Sequence, residues 1–373
     1  MHKFIYPSRI KISNLGDILI NVLLIRELSG LGYVYLDGAN QSIDTLIRIN
    51  NPNEKNIKVV GGIKIFGGKP VLRWLNMLPL LLTASHVFDP PGAYGDNRNS
   101  VKSYLKFIKY YNRAIVLKLF GIDMIRIGVS MGPFSKDGLK RQKKISAVYK
   151  NIGVRDSTNF EYLQKNNFKN VRLAEDMAFL YNSQNYKEVF EKSQIQKSYV
   201  VVSVRPDLES AEFNATYIKG LLITIASLLS GIKNKAEIIF SYQVKEDLEA
   251  IAFMKDELEK QYGISGSVLK KQLSFSEAIS LYYDACLVIT NRLHVALLAL
   301  LNNTLPVIVT ETSEHHKLVN MFRDLDFNEF IFNIYQSAVI LPDDSLEVSK
   351  LANFNSLSAQ KRETIKKYLK EIL

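Results

Sequence analysis

Long apolar runs are what this 373-residue sequence most clearly lacks. The nearest candidate for a membrane-spanning helix, Leu221 to Leu229, falls far short of the roughly 18 uninterrupted apolar residues required and reads as a buried helix. The N-terminus, Met1 to Arg9, has no apolar stretch followed by small residues of the kind that marks a signal peptide. Cysteine is almost absent as well. Its single representative, Cys286, cannot form an internal disulfide and sits in Ala285-Cys286-Leu287-Val288-Ile289, the setting of a buried core thiol. These absences together predict a cytoplasmic chain. Acidic residues are the minority charge, 37 against 48 lysines and arginines, and the resulting +11 favours an anionic partner: nucleic acid, an acidic membrane surface or a phosphorylated small substrate.

Several catalytic signatures are missing too. There is no Gly-x-x-x-x-Gly-Lys-Ser/Thr loop, no Gly-x-Gly-x-x-Gly fingerprint and no His-Glu-x-x-His, which disfavours ATPases, dehydrogenases and zinc proteases of those types. The pair His315-His316 has no companion cluster of Cys, Asp and Glu, so no metal site is expected. Positive charge is dispersed rather than gathered around stacking aromatics, and no nucleic-acid module is recognisable, so nucleic acid is not expected as a partner.

What is present is a chain with 47% hydrophobic and 23% charged residues, which excludes a disordered or fibrous protein. Short apolar runs alternate with amphipathic segments, the pattern of β-α units feeding a parallel sheet. Strands are expected at Arg9 to Ile12, Val87-Phe88, Ile125 to Gly128, Ile152 to Val154, Tyr199 to Val204, Ile238 to Ser241, Leu287 to Thr290 and Val307 to Thr310. Helices are expected at Ile18 to Leu31, Tyr217 to Leu229, Lys245 to Tyr262 and Phe275 to Asp284, the last opened by a capping box from Ser274 to Glu277. The polar stretch from Tyr181 to Ser198 separates two halves. The expected architecture is therefore α/β, with Rossmann-like domains at 1–185 and 195–373 facing across a cleft, and a C-terminal helix able to pack back on the first.

In such sheets ligands collect beyond the carboxyl ends of strands, which directs attention to the strand-end loops. Asn14, Gly16 and Asp17 lie at a strand-to-helix turn where free amides can meet an anion, or where Asn14 or Asp17 simply caps the helix. The loop Asp89-Pro90-Pro91-Gly92-Ala93-Tyr94-Gly95-Asp96 is dense in turn formers. Gly128 to Pro133 forms another loop after a strand. Arg155 and Arg205 each end an apolar strand, where a guanidinium either recognises a carboxylate or phosphate or pairs with Asp156 or Asp207. Most distinctive is Thr290-Asn291-Arg292-Leu293-His294, a polar break between a buried strand and an apolar helix, which sets Arg292 and His294 at the positive end of the helix.

Taken in order, these segments resemble the polysaccharide pyruvyl transferase family. Asn14-Leu15-Gly16-Asp17 is similar to its Asn-x-Gly-Asp, Gly128 to Pro133 to its Gly-x-Ser-x-Gly-Pro, and Val154-Arg155-Asp156 to its Val-Arg-Asp. Asp176-Met177-Ala178-Phe179 is similar to its Asp-Pro-Ala-Phe, Ser203-Val204-Arg205 to its Ser-Val-Arg, and Arg292-Leu293-His294 to its Arg-Leu-His, with Lys317 where a lysine commonly follows. Two departures stand out. Met177 replaces a proline, and the family's glycine-rich Gly-Gly-Gly-Asn-x-Gly-Asp loop keeps only its final Gly-Asp in Pro90 to Asp96.

The resemblance implies a GT-B-like fold and transfer of pyruvate from phosphoenolpyruvate to two hydroxyls of a sugar, with no cofactor beyond that co-substrate and no metal. It implies as acceptor a surface polysaccharide or its undecaprenyl-linked precursor. On this reading Arg292, Leu293, Arg155, Arg205, Asn14, Gly16 and Lys317 bind substrate, His294 handles the phosphate or the proton, and Asp96 or Asp17 is the base. The same architecture also suits a glycosyltransferase that uses a nucleotide-activated sugar. Finally, Val101 to Arg113 is basic, amphipathic and aromatic-rich, of the kind that lies on an anionic membrane surface, so peripheral association with the inner face of the plasma membrane is expected alongside the alternative of an ordinary surface helix.

Overall fold

The computed structural model describes residues 1–7, 14–37, 48, 51–60, 83–95, 100–186, 199–205, 211–232, 236–244, 247–336, 339, 341–342 and 344–373. The chain divides into two compact units: 1–12, 17–181 and 361–373 form the first, and 13–16 with 182–360 the second.

The first unit runs β1 (His2–Pro7), α1 (Leu15–Leu31), β2 (Gly32–Asp37), β3 (Ile57–Val60), β4 (His86–Asp89), β5 (Gly92–Tyr94), α2 (Val101–Leu119), β6 (Asp123–Met131), α3 (Lys136–Ser146), β7 (Asn151–Val154), α4 (Ser157–Lys165) and β8 (Val171–Leu173). Its sheet has the order β3-β2-β1-β4-β6-β7-β8, with β5 also paired to β6. Every pairing is parallel. A parallel sheet is covered on both faces, which is why β4, β7 and nearly all of β6 are buried.

The second unit runs β9 (Tyr199–Ser203), α5 (Ala211–Ser230), β10 (Glu237–Phe240), α6 (Leu248–Tyr262), β11 (Ser267–Val268), α7 (Phe275–Asp284), β12 (Ala285–Thr290), α8 (Leu293–Leu301), β13 (Leu305–Thr310), α9 (His316–Asp324), β14 (Ile331–Asn333) and α10 (Asp344–Ile372). Its parallel sheet has the order β11-β10-β9-β12-β13-β14, two βαβαβ halves wound outward from the first strand. Val200, Val201, Val202, Val288, Ile289, Val307, Ile308 and Val309 make its core, and α8 is apolar almost all round because it is buried almost all round.

Most of the expected elements occur, several one to five residues longer than their apolar runs. The capping box of α7 forms as expected, Ser274 Oγ accepting the Glu277 amide while the Glu277 carboxylate accepts the Ser274 amide. The strand expected at Arg9 to Ile12 lies outside the described residues; the N-terminal strand of the sheet is His2–Pro7. Gly128 to Met131 belongs to β6 rather than to a loop. Gly128 has φ +68° at a register shift against β7, so the strand continues through a bulge only because no Cβ stands there, where it would lie 2.7 Å from the Met177 side chain. Cys286 is half-buried rather than fully buried, its thiol donating to the Tyr199 carbonyl at 3.0 Å.

The last residues of α10 belong to the first unit. Arg362 donates to the carbonyls of Phe179 and Tyr181, Lys361 meets Glu175 at 2.8 Å, and the buried Tyr368 hydroxyl donates to Asn151.

Candidate active site

Both sheets reverse their strand order once, at β1/β4 and at β9/β12, and ligand crevices of doubly wound sheets form outside the carboxyl ends of such strand pairs. Each unit gathers charged side chains there.

In the second unit, Asn291 follows β12 and ties the ends of the two strands together. Its Oδ1 accepts the Arg205 amide at 2.6 Å, and its Nδ2 donates to the Arg205 carbonyl and the Tyr217 hydroxyl. That clamp fixes the backbone of Arg205 while leaving its side chain exposed. Arg292, the residue before α8, pairs with Asp247, and its Nε is buried without a hydrogen-bond partner among the described residues. Burial lowers the Arg292 pKa, partly offset by Asp247 and reinforced by repulsion from Arg205; burial raises that of Asp247 despite Arg292. The buried Asp247 carboxylate thus has one paired guanidinium, Arg292, and feels the charge of a second, the exposed Arg205, an excess of positive charge that suits an added anion. His315, expected only as part of a loose histidine pair, stacks on Tyr217 with ring centroids 6.1 Å apart, and burial followed by Arg205 lowers its pKa.

His294 lies in the first turn of α8. Gly16, grouped with the same unit, packs on it so closely that a Cβ would stand 2.5 Å from His294 Nδ1. Two motifs at opposite ends of the sequence therefore meet. Asn14 Oδ1 accepts the Gly16 amide at 3.0 Å and so takes the capping role. Leu293 is half-buried and opens α8, and Lys317 is exposed in the first turn of α9.

In the first unit, Asp89 ends β4 and is 4% exposed. Its Oδ2 accepts from Arg126 Nε at 3.0 Å and from the hydroxyls of Tyr110 and Tyr149. The Arg126 guanidinium lies against the rings of Tyr94 and Tyr149, with centroids 4.3 and 4.4 Å away, and its Nη1 has no hydrogen-bond partner among the described residues. Burial alone would raise the Asp89 pKa, but Arg126 and the tyrosine hydroxyls outweigh it and hold the carboxyl below its usual range. A cavity of about 240 Å³ opens beside this cluster, with Pro7, Asp17, Asn21, Asp89, Tyr94 and Arg113 among its walls.

Sequence reasoning placed Asp89 only in a turn-rich loop and Tyr110 only in the amphipathic segment from Val101 to Arg113, and it missed Arg126 and Tyr149. The available signal was Arg126 itself, a charge inside an apolar strand, which requires a buried partner. Arg155, expected to bind substrate, is buried and committed elsewhere: its Nη1 meets Asp176 at 2.7 Å and its Nε donates to Ser130. Asp176 also accepts the Ala178 amide, so the Asp-x-Ala-Phe segment works here as a latch on Arg155. Asp156, the expected rival partner, instead caps α4. Asp17 is half-buried in the first turn of α1 and borders the cavity, whereas Asp96 lies outside the described residues. Among the described residues no group of His, Cys, Asp and Glu could hold a metal ion.

The fold is that of GT-B proteins. The chain matches the solved UDP-GlcNAc 2-epimerase of Neisseria meningitidis bound to UDP-GlcNAc with a TM-score of 0.55 at 8% identity, covering 99% of this chain and 98% of that one. The UDP-GlcNAc 2-epimerase of Methanocaldococcus jannaschii matches with a TM-score of 0.52 at 15% identity, over 94% and 91%. Anabaena Alr3699/HepE, solved in complex with UDP and glucose, matches with 0.52 at 11% identity, over 98% and 93%. No curated protein matches by sequence. Residues 14–313 match the family described as polysaccharide pyruvyl transferase, and the chain belongs to that family; it is a transferase of polysaccharide modification.

Proposed function

We propose that the protein transfers a pyruvyl group from phosphoenolpyruvate to a sugar of a surface polysaccharide or of its lipid-linked precursor, closing a cyclic ketal. The observation that supports this reading is the pair of arginines at the β9/β12 strand ends: Arg292 pairs with Asp247 yet keeps its Nε without a partner among the described residues, and Asn291 holds the Arg205 backbone while its side chain is exposed. Phosphoenolpyruvate carries a phosphate and a carboxylate, and two guanidinium groups match two anionic ends. Arg155, held by Asp176, has no part in this clamp.

His294, at the positive end of α8, either binds the leaving phosphate or, when protonated, delivers its proton to the methylene carbon. Protonation makes C2 electrophilic, and a first sugar hydroxyl adds there, losing its proton to a carboxylate base, Asp17 or Asp96. Departure of inorganic phosphate and attack by the second hydroxyl complete the ketal. Charge that develops only in the transition state is thereby met by groups already in place.

The decisive measurement follows inorganic phosphate released from phosphoenolpyruvate in the presence of acceptor glycans. Phosphate release that depends on acceptor is expected. Phosphoenolpyruvate left intact while a nucleotide-activated sugar is consumed would overturn the reading in favour of a glycosyltransferase.

A lipid-borne acceptor also accounts for α2. Val101, Leu105, Val116 and Leu119 are exposed along its solvent side, with Lys102, Lys106, Lys109 and Lys118 on the same helix and no acidic residue in it. An apolar stripe flanked by lysines suits the surface of an anionic leaflet. Flotation with vesicles containing phosphatidylglycerol should carry the protein upward, and Leu105→Glu should leave it in the soluble fractions.

A further inference from the structure

The cavity at the β1/β4 strand ends faces chemistry different from that of the arginine clamp. It is a half-open cavity lined wholly by the first unit, by the ends of β1 and β4, the β4–β5 turn, α1 and α2. Its volume, about 240 Å³, exceeds the ~150 Å³ cavity that takes a benzene ring and falls below the roughly 300 Å³ at which pockets for drug-sized molecules begin. One substituted six-membered ring fits it.

The walls say what kind of ring. Pro90, Pro91 and Tyr94 offer apolar surface that can lie against a ring face. Asp17 and Asp89 bring two carboxylates, which disfavours an anion, and Arg113 brings one cation that no described residue engages. The hydrogen bonds to the Asp89 carboxylate all fall on Oδ2, so Oδ1 has no partner among the described residues. Because Arg126, Tyr110 and Tyr149 lock Oδ2, the other oxygen has a fixed direction and a standing charge. A fixed carboxylate oxygen is a strong acceptor for hydroxyl donors, and a neutral polyol supplies them without like-charge repulsion. Tyr110 has two duties, since it holds Asp89 and also borders the cavity.

We infer that this cavity is a binding subsite for a single uncharged pyranose, with Asp89 Oδ1 and Arg113 bonding its hydroxyls and Pro90, Pro91 and Tyr94 covering a ring face. Resting on the pyruvyl-transfer reading, it assigns the acceptor sugar to these residues. Asp89 acts there as a hydroxyl acceptor rather than as the base, because a carboxylate held so firmly ionised takes up a proton poorly.

The test uses the full chain without phosphoenolpyruvate. Saturation-transfer NMR is recorded with the methyl glycosides of glucose, galactose, mannose and N-acetylglucosamine as probes. At least one should receive saturation at its ring protons, and Asp89→Asn should weaken its binding by about tenfold or more. Arg113→Gln, at a half-buried site with no described partner, should weaken it severalfold and leave the melting temperature unchanged. If Asp89→Asn fails to fold, Arg113→Gln and Tyr94→Ala decide the matter. Silence with all four glycosides, or binding that the folded variants leave untouched, overturns the subsite. Glycoside binding without any phosphate release from phosphoenolpyruvate would keep the subsite and sink the transfer reaction; acceptor-dependent phosphate release with glycoside binding insensitive to these variants would do the reverse.

Discussion

Each unit pairs an arginine with a buried aspartate, Arg126 on β6 with Asp89 at the end of β4 and Arg292 after β12 with Asp247 before α6, and the two pairs behave in opposite ways. Arg126 and Asp89 are surrounded by three tyrosines, and each drives the other further into its charged state: the aspartate falls below its usual range and the arginine rises above it. Between Arg292 and Asp247 burial dominates, pushing the aspartate up and the arginine down, with Arg205 adding repulsion. The first pair needs no ligand to stay ionised, and its bonds leave only Asp89 Oδ1 open among the described residues. In the second, Arg292 Nε has no partner among the described residues, which is the opening that the proposed anion would fill. The same residue types thus form a tightly held support in one unit and, on the reading proposed above, an anion receptor in the other, and the tyrosines make the difference.

The largest effect that would break this contrast is on turnover. Arg292→Ala should lower acceptor-dependent phosphate release by at least ~100-fold, the scale of losing a charged transition-state donor, while circular dichroism reports a folded protein. A rate close to wild type would remove Arg292 from the receptor role. Next in size is the support. Arg126→Leu strands the Asp89 carboxylate in a buried site and should cost about 3–5 kcal/mol of stability in urea unfolding. A loss under about 1 kcal/mol would mean that the tyrosines suffice to hold Asp89.

A subtler probe separates stability from position. Gly16→Ala should raise helix propensity in the first turn of α1 by up to about 1 kcal/mol, yet its methyl group would collide with the His294 ring and displace it. Misplacement of a reacting group by about 1 Å costs on the order of 100-fold, so turnover should fall as that helix-propensity gain appears. If both the rate and the melting temperature stay unchanged, His294 is not held by Gly16.

Much of the fold was legible because buried parallel strands leave a simple mark. Tyr199–Ser203, Ala285–Thr290 and Leu305–Thr310 read as short apolar runs in the sequence because both their faces are covered. Gly32–Asp37 and Ile57–Val60 escaped, since their tyrosine and lysine content breaks the run. In the candidate site, the Arg292-Leu293-His294 turn was legible from the break between an apolar strand and an apolar helix. Arg155 was misleading, because whether a strand-end arginine meets a ligand or a partner depends on Asp176, twenty-one residues away in sequence.

The sequence by itself determined that this is a doubly wound α/β protein of the pyruvyl transferase family, because periodicity, caps and local motifs are properties of neighbouring residues. Tertiary structure decided which charges are occupied and which are open. Asp89, Tyr110, Arg126 and Tyr149 come from two strands, a helix and a loop, and no local pattern links them. A buried charge takes its state from groups that only folding brings within hydrogen-bonding distance.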